Sequence, residues 1–506
     1  MCADPADWLD GWYVGHDEPS VLFKSHLPGT GNDVTYVVTL PKDPRQQPNA
    51  TGVGGTTWNF ELRPTFWFGM TLCDTESAPE YTKSCTPDSD ANNLVGTNPA
   101  APDYIGKHPG QAYMELQFYE PGWVPQFEGF GCTATKYCAA MTIDSLNENQ
   151  NTGVFNTSAC NAYILGGAEP INWAYITRSG QSQAPANPLF TGTGTNPNFA
   201  AVNPNLSKDL FMNPGDKILI HLHDMPAGLR ADLVDLTTGQ RGSMTASIAN
   251  GFGHILYTTN SSTCQEAPHA FHPEYSTANP RGNTWSAHTY DIAYSDEIGH
   301  FENCQAIDAN GNCTLAGSQD STLDDDDTAC LPGTDSSLVQ IDGCVFDDED
   351  WDGQSYRPDW PGTNPNPFVD RLVHPTPVLF TSATSRGRNY STIAFETDLP
   401  RIEAADAQFN PPFCDRTTGA NCVNPPYGAQ FYPFYTTGIH DGTCQWQEGG
   451  NYIPGTIDHF GGSSTTEYGP PLKTVYPEAG FTTETLIDNF NSGNLANPCP
   501  VGFIFR

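Results

Sequence analysis

The clearest pattern in the chain is an alternation of residue character between positions 213 and 254. Ile218, Ile220 and Leu222 alternate with residues that include His221 and His223. Because successive side chains of a β-strand point to opposite faces, the pattern predicts a strand with the aliphatic trio on one face and both histidines on the other. Turn sequences at positions 226–228 and 238–239 predict that two more antiparallel strands follow.

Two segments nearer the amino terminus show the same alternation of large apolar and polar side chains. The outward-facing polar residues are Glu61 and Arg63 in one segment and Glu115, Gln117 and Tyr119 in the other. Helical periodicity is confined to positions 402–409 and 483–490, whereas short strand-like runs between glycine and proline turns recur along the chain. The pattern predicts an all-β fold, an antiparallel β-sandwich or jelly roll with long loops and very little helix.

The pattern changes twice along the chain, which predicts three regions. Residues 1–304 contain most of the alternating runs and are expected to form the core of the sandwich. Residues 305–365 are rich in aspartate and cysteine and have almost no strand-like runs, so we expect loops there. Apolar runs return in residues 366–506, which we predict to be a region of strands and loops that packs on the core.

Composition and charge narrow the classes of function. The 48 glycines and 43 prolines indicate many turns, but 37% hydrophobic and 11% aromatic residues are too many for a disordered chain. The net charge of −37 excludes nucleic acid as a partner, since no basic stripe neutralises phosphate. A neutral glycan, a cationic polymer or a divalent cation is compatible with this charge. The acidity is equally explained as a means of staying soluble outside a cell.

Fifteen cysteines indicate the compartment, because they include no C-x-x-C pair and no zinc-finger spacing. Disulfides are the better interpretation, which implies an oxidising compartment and a secreted protein whose loops are pinned by disulfides. Neighbouring cysteines predict five short links: 73–85, 132–138, 304–313, 330–344 and 414–422. Cys160, Cys264, Cys444 and Cys499 remain for longer links, and Cys2 is the odd residue. No stretch is long and apolar enough to span a bilayer.

The most specific short motif lies in the aspartate-rich region. Asp348, Asp350 and Asp352 alternate before Gly353, and Asp359 falls at the twelfth position of the same loop. With an oxygen of Gln354, these carboxylates could supply the several oxygen ligands that Ca²⁺ requires. The motif resembles the EF-hand calcium loop, but its twelfth residue is aspartate and no amphipathic helices flank it. We predict a structural Ca²⁺ site, and the alternative is a solvated acidic loop without an ion.

The pair formed by His221 and His223 is a second candidate site. Imidazoles on adjacent strands commonly bind transition metals. The sequence from Gly215 to His223 is similar to the opening of the cupin metal motif. However, Ala227 and Gly228 stand where that family has its glutamate. A transition metal at this pair is therefore an alternative interpretation, and a simple surface pair of histidines is the more frequent arrangement.

The outward-facing residues of the two earlier strands are the third candidate site. Glu61, Arg63, Glu115 and Gln117 would line one sheet face if their strands were neighbours. The fragments around them resemble the motifs of concanavalin-like jelly-roll polysaccharide lyases. That resemblance implies a catalytic histidine and tyrosine, for which His221 or His223 and Tyr119 are the candidates. The alternative is a solvated face of an antiparallel sheet.

Taken together, these patterns predict a secreted, Ca²⁺-containing all-β protein that binds a polysaccharide and cleaves it by hydrolysis or elimination. The alternative from another class is a non-catalytic extracellular surface, matrix or adhesion protein. A third alternative is a metal-dependent oxidoreductase at the histidine cluster. A β fold alone does not separate these functions.

Overall fold

The computed structural model describes part of the 506-residue chain. The described residues are 20–25, 32–42, 65–73, 111–119, 132–133, 135–145, 147–149, 154–165, 169–191, 204–273, 283–290, 304–307, 313–316, 366–373, 376–396, 403–404, 422–423, 435–448, 472–478, 481–488 and 495–499.

The described residues are mostly β-strands. In the first half of the chain the strands are β1 (Ser20–Ser25), β2 (Asp33–Thr39), β3 (Thr65–Cys73), β4 (Gln111–Tyr119), β5 (Cys138–Ser145), β6 (Glu148–Asn149), β7 (Val154–Phe155), β8 (Ile164–Leu165), β9 (Glu169–Tyr175), β10 (Lys217–Met225), β11 (Gly228–Asp235), β12 (Arg241–Thr245), β13 (Gly253–Ile255) and β14 (Glu266–Pro268). In the second half they are β15 (Asn283–Tyr290), β16 (Cys304–Ile307), β17 (Cys313–Ala316), β18 (Leu379–Phe380), β19 (Thr384–Ser385), β20 (Arg388–Asn389), β21 (Thr392–Glu396), β22 (Glu403–Ala404), β23 (Cys422–Val423), β24 (Tyr435–His440), β25 (Thr443–Glu448), β26 (Leu472–Glu478), β27 (Phe481–Asp488) and β28 (Leu495–Ala496).

Two large antiparallel sheets contain most of these strands. Sheet A has the strand order β28-β21-β1-β15-β3-β4-β5-β9-β8. Sheet B has the order β12-β11-β10-β2-β18-β25-β24, with β19 and β20 joined to it through β2. Both sheets take strands from the two ends of the described chain. The carboxy-terminal strands that join them are β21 and β28 in sheet A and β18, β19, β20, β24 and β25 in sheet B, whereas β22-β23 and β26-β27 form separate two-stranded sheets.

The two sheets pack face to face over a shared hydrophobic core. Met114, Leu116 and Phe118 of β4 and the aliphatic residues at positions 218, 220 and 222 of β10 belong to one buried cluster. The ring of Tyr36 in sheet B lies 4.6 Å from that of Phe68 in sheet A, measured between ring centroids. The alternation of apolar and polar residues favours packing of one sheet on the other, because it gives each strand one apolar face to bury.

The helix content is as low as the sequence predicts among the described residues. Beyond two 3-10 turns, these residues contain the helices α1 (Pro188–Thr191) and α2 (Pro367–Val373). The prediction of a helix at 483–490 is wrong, since Phe481–Asp488 is a strand whose threonines and isoleucine favour extended backbone. At 402–409, Glu403–Ala404 is a strand as well. No helix in the described ranges is long and apolar enough to cross a membrane.

Three disulfides hold the described residues together. The predicted short link between Cys132 and Cys138 is confirmed. The remaining cysteines form two longer links, Cys160–Cys264 and Cys444–Cys499, whose partners are 104 and 55 positions apart in the sequence. The other four predicted short links lie outside the described side chains.

Candidate functional site

The outer face of sheet A presents a row of polar and aromatic residues across its middle strands. The alternation of β4 turns Glu115, Gln117 and Tyr119 away from the core, because Met114, Leu116 and Phe118 occupy its inner face. In the strand register Glu115 lies opposite Thr142 of β5, and Thr142 lies opposite Trp173 of β9. The side chains of three strands therefore meet at one place on this face.

These side chains form a continuous line of hydrogen bonds. The Tyr119 hydroxyl donates to Gln117 Oε1, and Gln117 Nε2 donates to Glu115 Oε2. Gln117 Oε1 also accepts from Thr142 Oγ1 at 3.2 Å, and the Tyr119 oxygen accepts from Trp173 Nε1 at 3.0 Å. Glu115 is buried, whereas Gln117, Tyr119 and Trp173 are half-buried. The line thus connects a sheltered carboxyl group to aromatic side chains that reach the surface.

Close packing of β3 against β4 shelters the carboxyl end of this line. Gly69 is the register partner of Glu115. A Cβ atom at position 69 would lie 1.9 Å from the carbonyl oxygen of Met114, so only glycine allows β3 to approach β4 this closely. Trp67, two residues before Gly69 on β3, is almost fully buried. In the strand register it lies opposite Gln117 of β4 and His288 of β15.

An aromatic cluster borders the opposite end of the line. Trp173 packs edge-on against Tyr175, with 4.4 Å between ring centroids, and both belong to a cluster with Phe211. Cys138 belongs to the same buried cluster, and its disulfide partner Cys132 packs against it. Aromatic rings that are part exposed and carry polar groups are suited to contact with sugar rings as well as with protein.

A buried carboxyl group, that of Asp209, lies near Tyr175 of this aromatic cluster. Asp209 Oδ2 accepts hydrogen bonds from the Asn205 backbone N–H at 2.6 Å and from Gln183 Nε2 at 2.7 Å. Its Oδ1 atom and the hydroxyl of Tyr175 are both buried without a hydrogen-bond partner. Burial raises the pKa of Asp209 to about 6 despite those two hydrogen bonds. Burial, with Tyr119 and Asp209 nearby, also raises the pKa of Tyr175.

Replacing Asp209 with asparagine is expected to weaken the pH dependence of stability. The raised pKa means that, between 3.8 and about 6, the folded protein binds more protons than the unfolded chain. The wild-type protein therefore loses stability as the pH rises through this range. Asparagine does not titrate, so the stability of the variant relative to wild type should rise by up to about 3 kcal/mol across it. Urea unfolding at several pH values measures this difference, and parallel curves would contradict the expectation.

The two predicted histidines lie on the other sheet. His221 and His223 project from the outer face of β10 in sheet B, opposite the aliphatic residues that β10 buries. Glu115 projects from the outer face of sheet A, and the shared core separates the two faces. The structure therefore brings Glu115, Gln117 and Tyr119 together and brings His221 and His223 together. It does not bring these two groups into one cleft.

Other predicted site residues fall outside the described part of the chain. They are Glu61 and Arg63 of the earlier strand and Asp348, Asp350, Asp352, Gln354 and Asp359 of the acidic loop. Their roles, including the Ca²⁺ site, stay predictions.

The sequence did not place Thr142 or Trp173 among the candidate site residues, and it favoured a core position for the tryptophans. A signal for them was present, because buried Ala174 and Asn172 alternate with Trp173 and Tyr175 in β9. The alternation of β9 does not indicate which strand pairs with it, because the pairing with β5 cannot be read from the sequence of either strand alone.

Comparison with known proteins does not add a family. No protein-family model matches the chain, and a search of the curated proteins finds no match. The features that bear on function are therefore the polar side chains on the outer faces of the two sheets.

Proposed function

We propose that this is a secreted protein that binds a polysaccharide on the outer face of sheet A and cleaves it there with the help of Glu115. The observation that carries the proposal is the hydrogen-bonded line from Glu115 through Gln117 and Tyr119 to Trp173. The three disulfides support an oxidising compartment. In this proposal the two packed sheets form a jelly roll of the concanavalin-like kind.

The line has the mixture of groups that sugar recognition requires. A sugar ring presents an apolar face to aromatic side chains and hydroxyl groups to amides and carboxylates. Trp173 and Tyr119 supply part-exposed aromatic surface, and Gln117 supplies an amide beside them. Binding would bring a glycosidic oxygen or a ring proton towards the sheltered end of the line, where Glu115 lies.

Glu115 and Tyr119 would take the proton-transfer roles. In hydrolysis a carboxyl group acts as general acid, and a second carboxyl must lie about 5–10 Å away; Glu61 is the predicted residue for that second role. In elimination from a uronate, a tyrosine takes the ring proton while a neutral amide or acid binds the uronate carboxyl group. Gln117 links the two groups in either case, because it donates to Glu115 and accepts from Tyr119.

The test is cleavage of a panel of neutral and uronate-containing polysaccharides by the wild-type protein and by Glu115→Gln. Reducing ends report hydrolysis, and ultraviolet absorption of an unsaturated product reports elimination. We expect Glu115→Gln to lower the cleavage rate by at least about 100-fold, the usual contribution of acid–base catalysis, with polysaccharide affinity nearly unchanged. Trp173→Ala should instead weaken binding, since it removes the part-exposed ring.

Glu266→Gln is the matched control for this experiment. Glu266 is a half-buried glutamate on β14, outside sheet A. Cleavage that survives Glu115→Gln would overturn the role of Glu115. Failure to bind any polymer, combined with self-association in sedimentation, would favour an extracellular matrix or adhesion protein.

A further inference from the structure

The outer face of sheet B carries a chain of charged and polar side chains across four strands. The chain begins at Asp33 of β2, passes through His221 and His223 of β10, and continues to Asp232 and Arg230 of β11. It ends at Ser243 and Thr245 of β12, which accept from the Arg230 guanidinium. This face is separate from the proposed polysaccharide face, because the hydrophobic core lies between them.

The two histidines are aligned with each other and with the carboxylates. Their rings stack at 4.1 Å between centroids with only 9° between the ring planes. His221 Nε2 lies 3.2 Å from Asp33 Oδ1, and His223 Nε2 lies 2.9 Å from Asp232 Oδ2. One ligand atom from each of His221, His223 and Asp232 falls within 4.8 Å of the others. Three donors of the kinds that bind a metal therefore converge on one half-buried spot.

We propose that His221, His223 and Asp232 bind a divalent transition-metal ion of the Zn²⁺ class, with Asp33 available as a fourth ligand. Zn²⁺ is bound in proteins by imidazole nitrogen and carboxylate oxygen at about 2.0–2.2 Å, usually with four ligands. Hard ions such as Ca²⁺ prefer oxygen ligands alone, so the imidazole pair selects against them. Small side-chain rotations would bring donors that already lie within 4.8 Å into such a shell.

The strand register favours this site because it fixes the donors on rigid elements. His221 is the register partner of Asp232 on β11, and His223 is the register partner of Asp33 on β2. Each observed contact runs diagonally, from His221 to Asp33 and from His223 to Asp232. Both histidines are therefore flanked by a carboxylate on each side, and β10 lies between two hydrogen-bonded neighbours. Donors on paired strands need little ordering when an ion binds.

Arg230 acts as an internal competitor for the metal. Its Nε and Nη2 atoms donate to both oxygens of Asp232 at 2.8–3.0 Å. The guanidinium must give up part of this contact before Asp232 can bind an ion, and its positive charge opposes a second cation. Removal of the guanidinium should therefore strengthen metal binding, whereas a purely structural role for the histidine pair predicts no such gain.

The test is titration of the full chain, without a histidine tag, with Zn²⁺ by calorimetry and with Co²⁺ by visible absorption. We expect one ion per chain, and at least about tenfold weaker binding in His221→Asn and in His223→Asn. Arg230→Gln should bind Zn²⁺ about tenfold more tightly, a change of about 1.4 kcal/mol. Arg230→Lys, which keeps the charge but loses the paired contact, should fall between Arg230→Gln and wild type.

His440→Asn is the matched control, since His440 lies in the same sheet and bonds to Gln447 Oε1 rather than to a carboxylate. It should leave Zn²⁺ affinity unchanged. Near-ultraviolet circular dichroism confirms that each variant is folded. The proposal is overturned if the wild-type protein takes up no Zn²⁺, if both histidine variants bind as wild type does, or if Arg230→Gln and Arg230→Lys both weaken binding.

Discussion

Replacing Cys160 and Cys264 with alanine is expected to lower the free energy of unfolding by about 4–5 kcal/mol. The link joins residues 104 positions apart, and a disulfide that closes a long loop removes much conformational freedom from the unfolded chain. Cys160 is also fully buried, so its removal leaves unfilled space beside Ile255. Urea unfolding under non-reducing conditions measures the change.

The double replacement of Cys132 and Cys138 serves as its control. Those residues are six positions apart, so the same loop argument gives a loss of less than about 3 kcal/mol. Equal losses in the two variants would show that loop length does not govern the contribution of these links.

Trp446→Ala is expected to cost about 3–5 kcal/mol of stability, the usual range for removing a large buried aromatic side chain. Trp446 is completely buried on β25 and packs edge-on against Phe23 of sheet A, with 5.9 Å between ring centroids. Its Nε1 donates to Ser382 Oγ at 2.9 Å, so the residue contributes both packing between the sheets and a buried hydrogen bond. The midpoint and slope of denaturant unfolding give the loss.

Two further variants separate the contributions of Trp446. Trp446→Phe keeps a ring but leaves Ser382 without this donor, and should cost about 1–3 kcal/mol. Ile439→Ala, at an exposed position of the neighbouring strand β24, should change stability by less than about 0.5 kcal/mol. A loss for Trp446→Ala no larger than that for Ile439→Ala would contradict the assignment of Trp446 to the core.

Alternation predicted the faces of the strands but not their neighbours. The inward residues of β4 and β10 are those that the sequence predicts, because a period of two is a local property of the chain. The partner of β10 on one side is β2, whose residues precede it by more than 170 positions. Nothing in β10 alone indicates that pairing. The expectation that His221 would lie beside Glu115 required both residues to be in one sheet. It is wrong because β10 is in sheet B and β4 is in sheet A.

The sequence likewise predicted only part of the disulfide pairing. The link from Cys132 to Cys138 is predictable because the two cysteines are only six positions apart in the sequence. The partner of Cys160 is decided by the packing of segments about a hundred residues apart. The same limit applies to the histidine site, because the contact of His223 with Asp232 depends on the register of β10 and β11.

The two edges of the paired sheets are joined by different kinds of bond. Near one edge, Cys444 of β25, the strand next to the edge of sheet B, is bonded to Cys499, which follows the edge strand β28 of sheet A. Near the other edge, backbone hydrogen bonds between Thr177, two residues after β9, and Ser243 of β12 join the two sheets. A covalent bond does not open in a thermal fluctuation, whereas a pair of hydrogen bonds does. Transient separation of the layers should therefore begin at Thr177 and Ser243, and amide hydrogens there should exchange with solvent before those near Cys444.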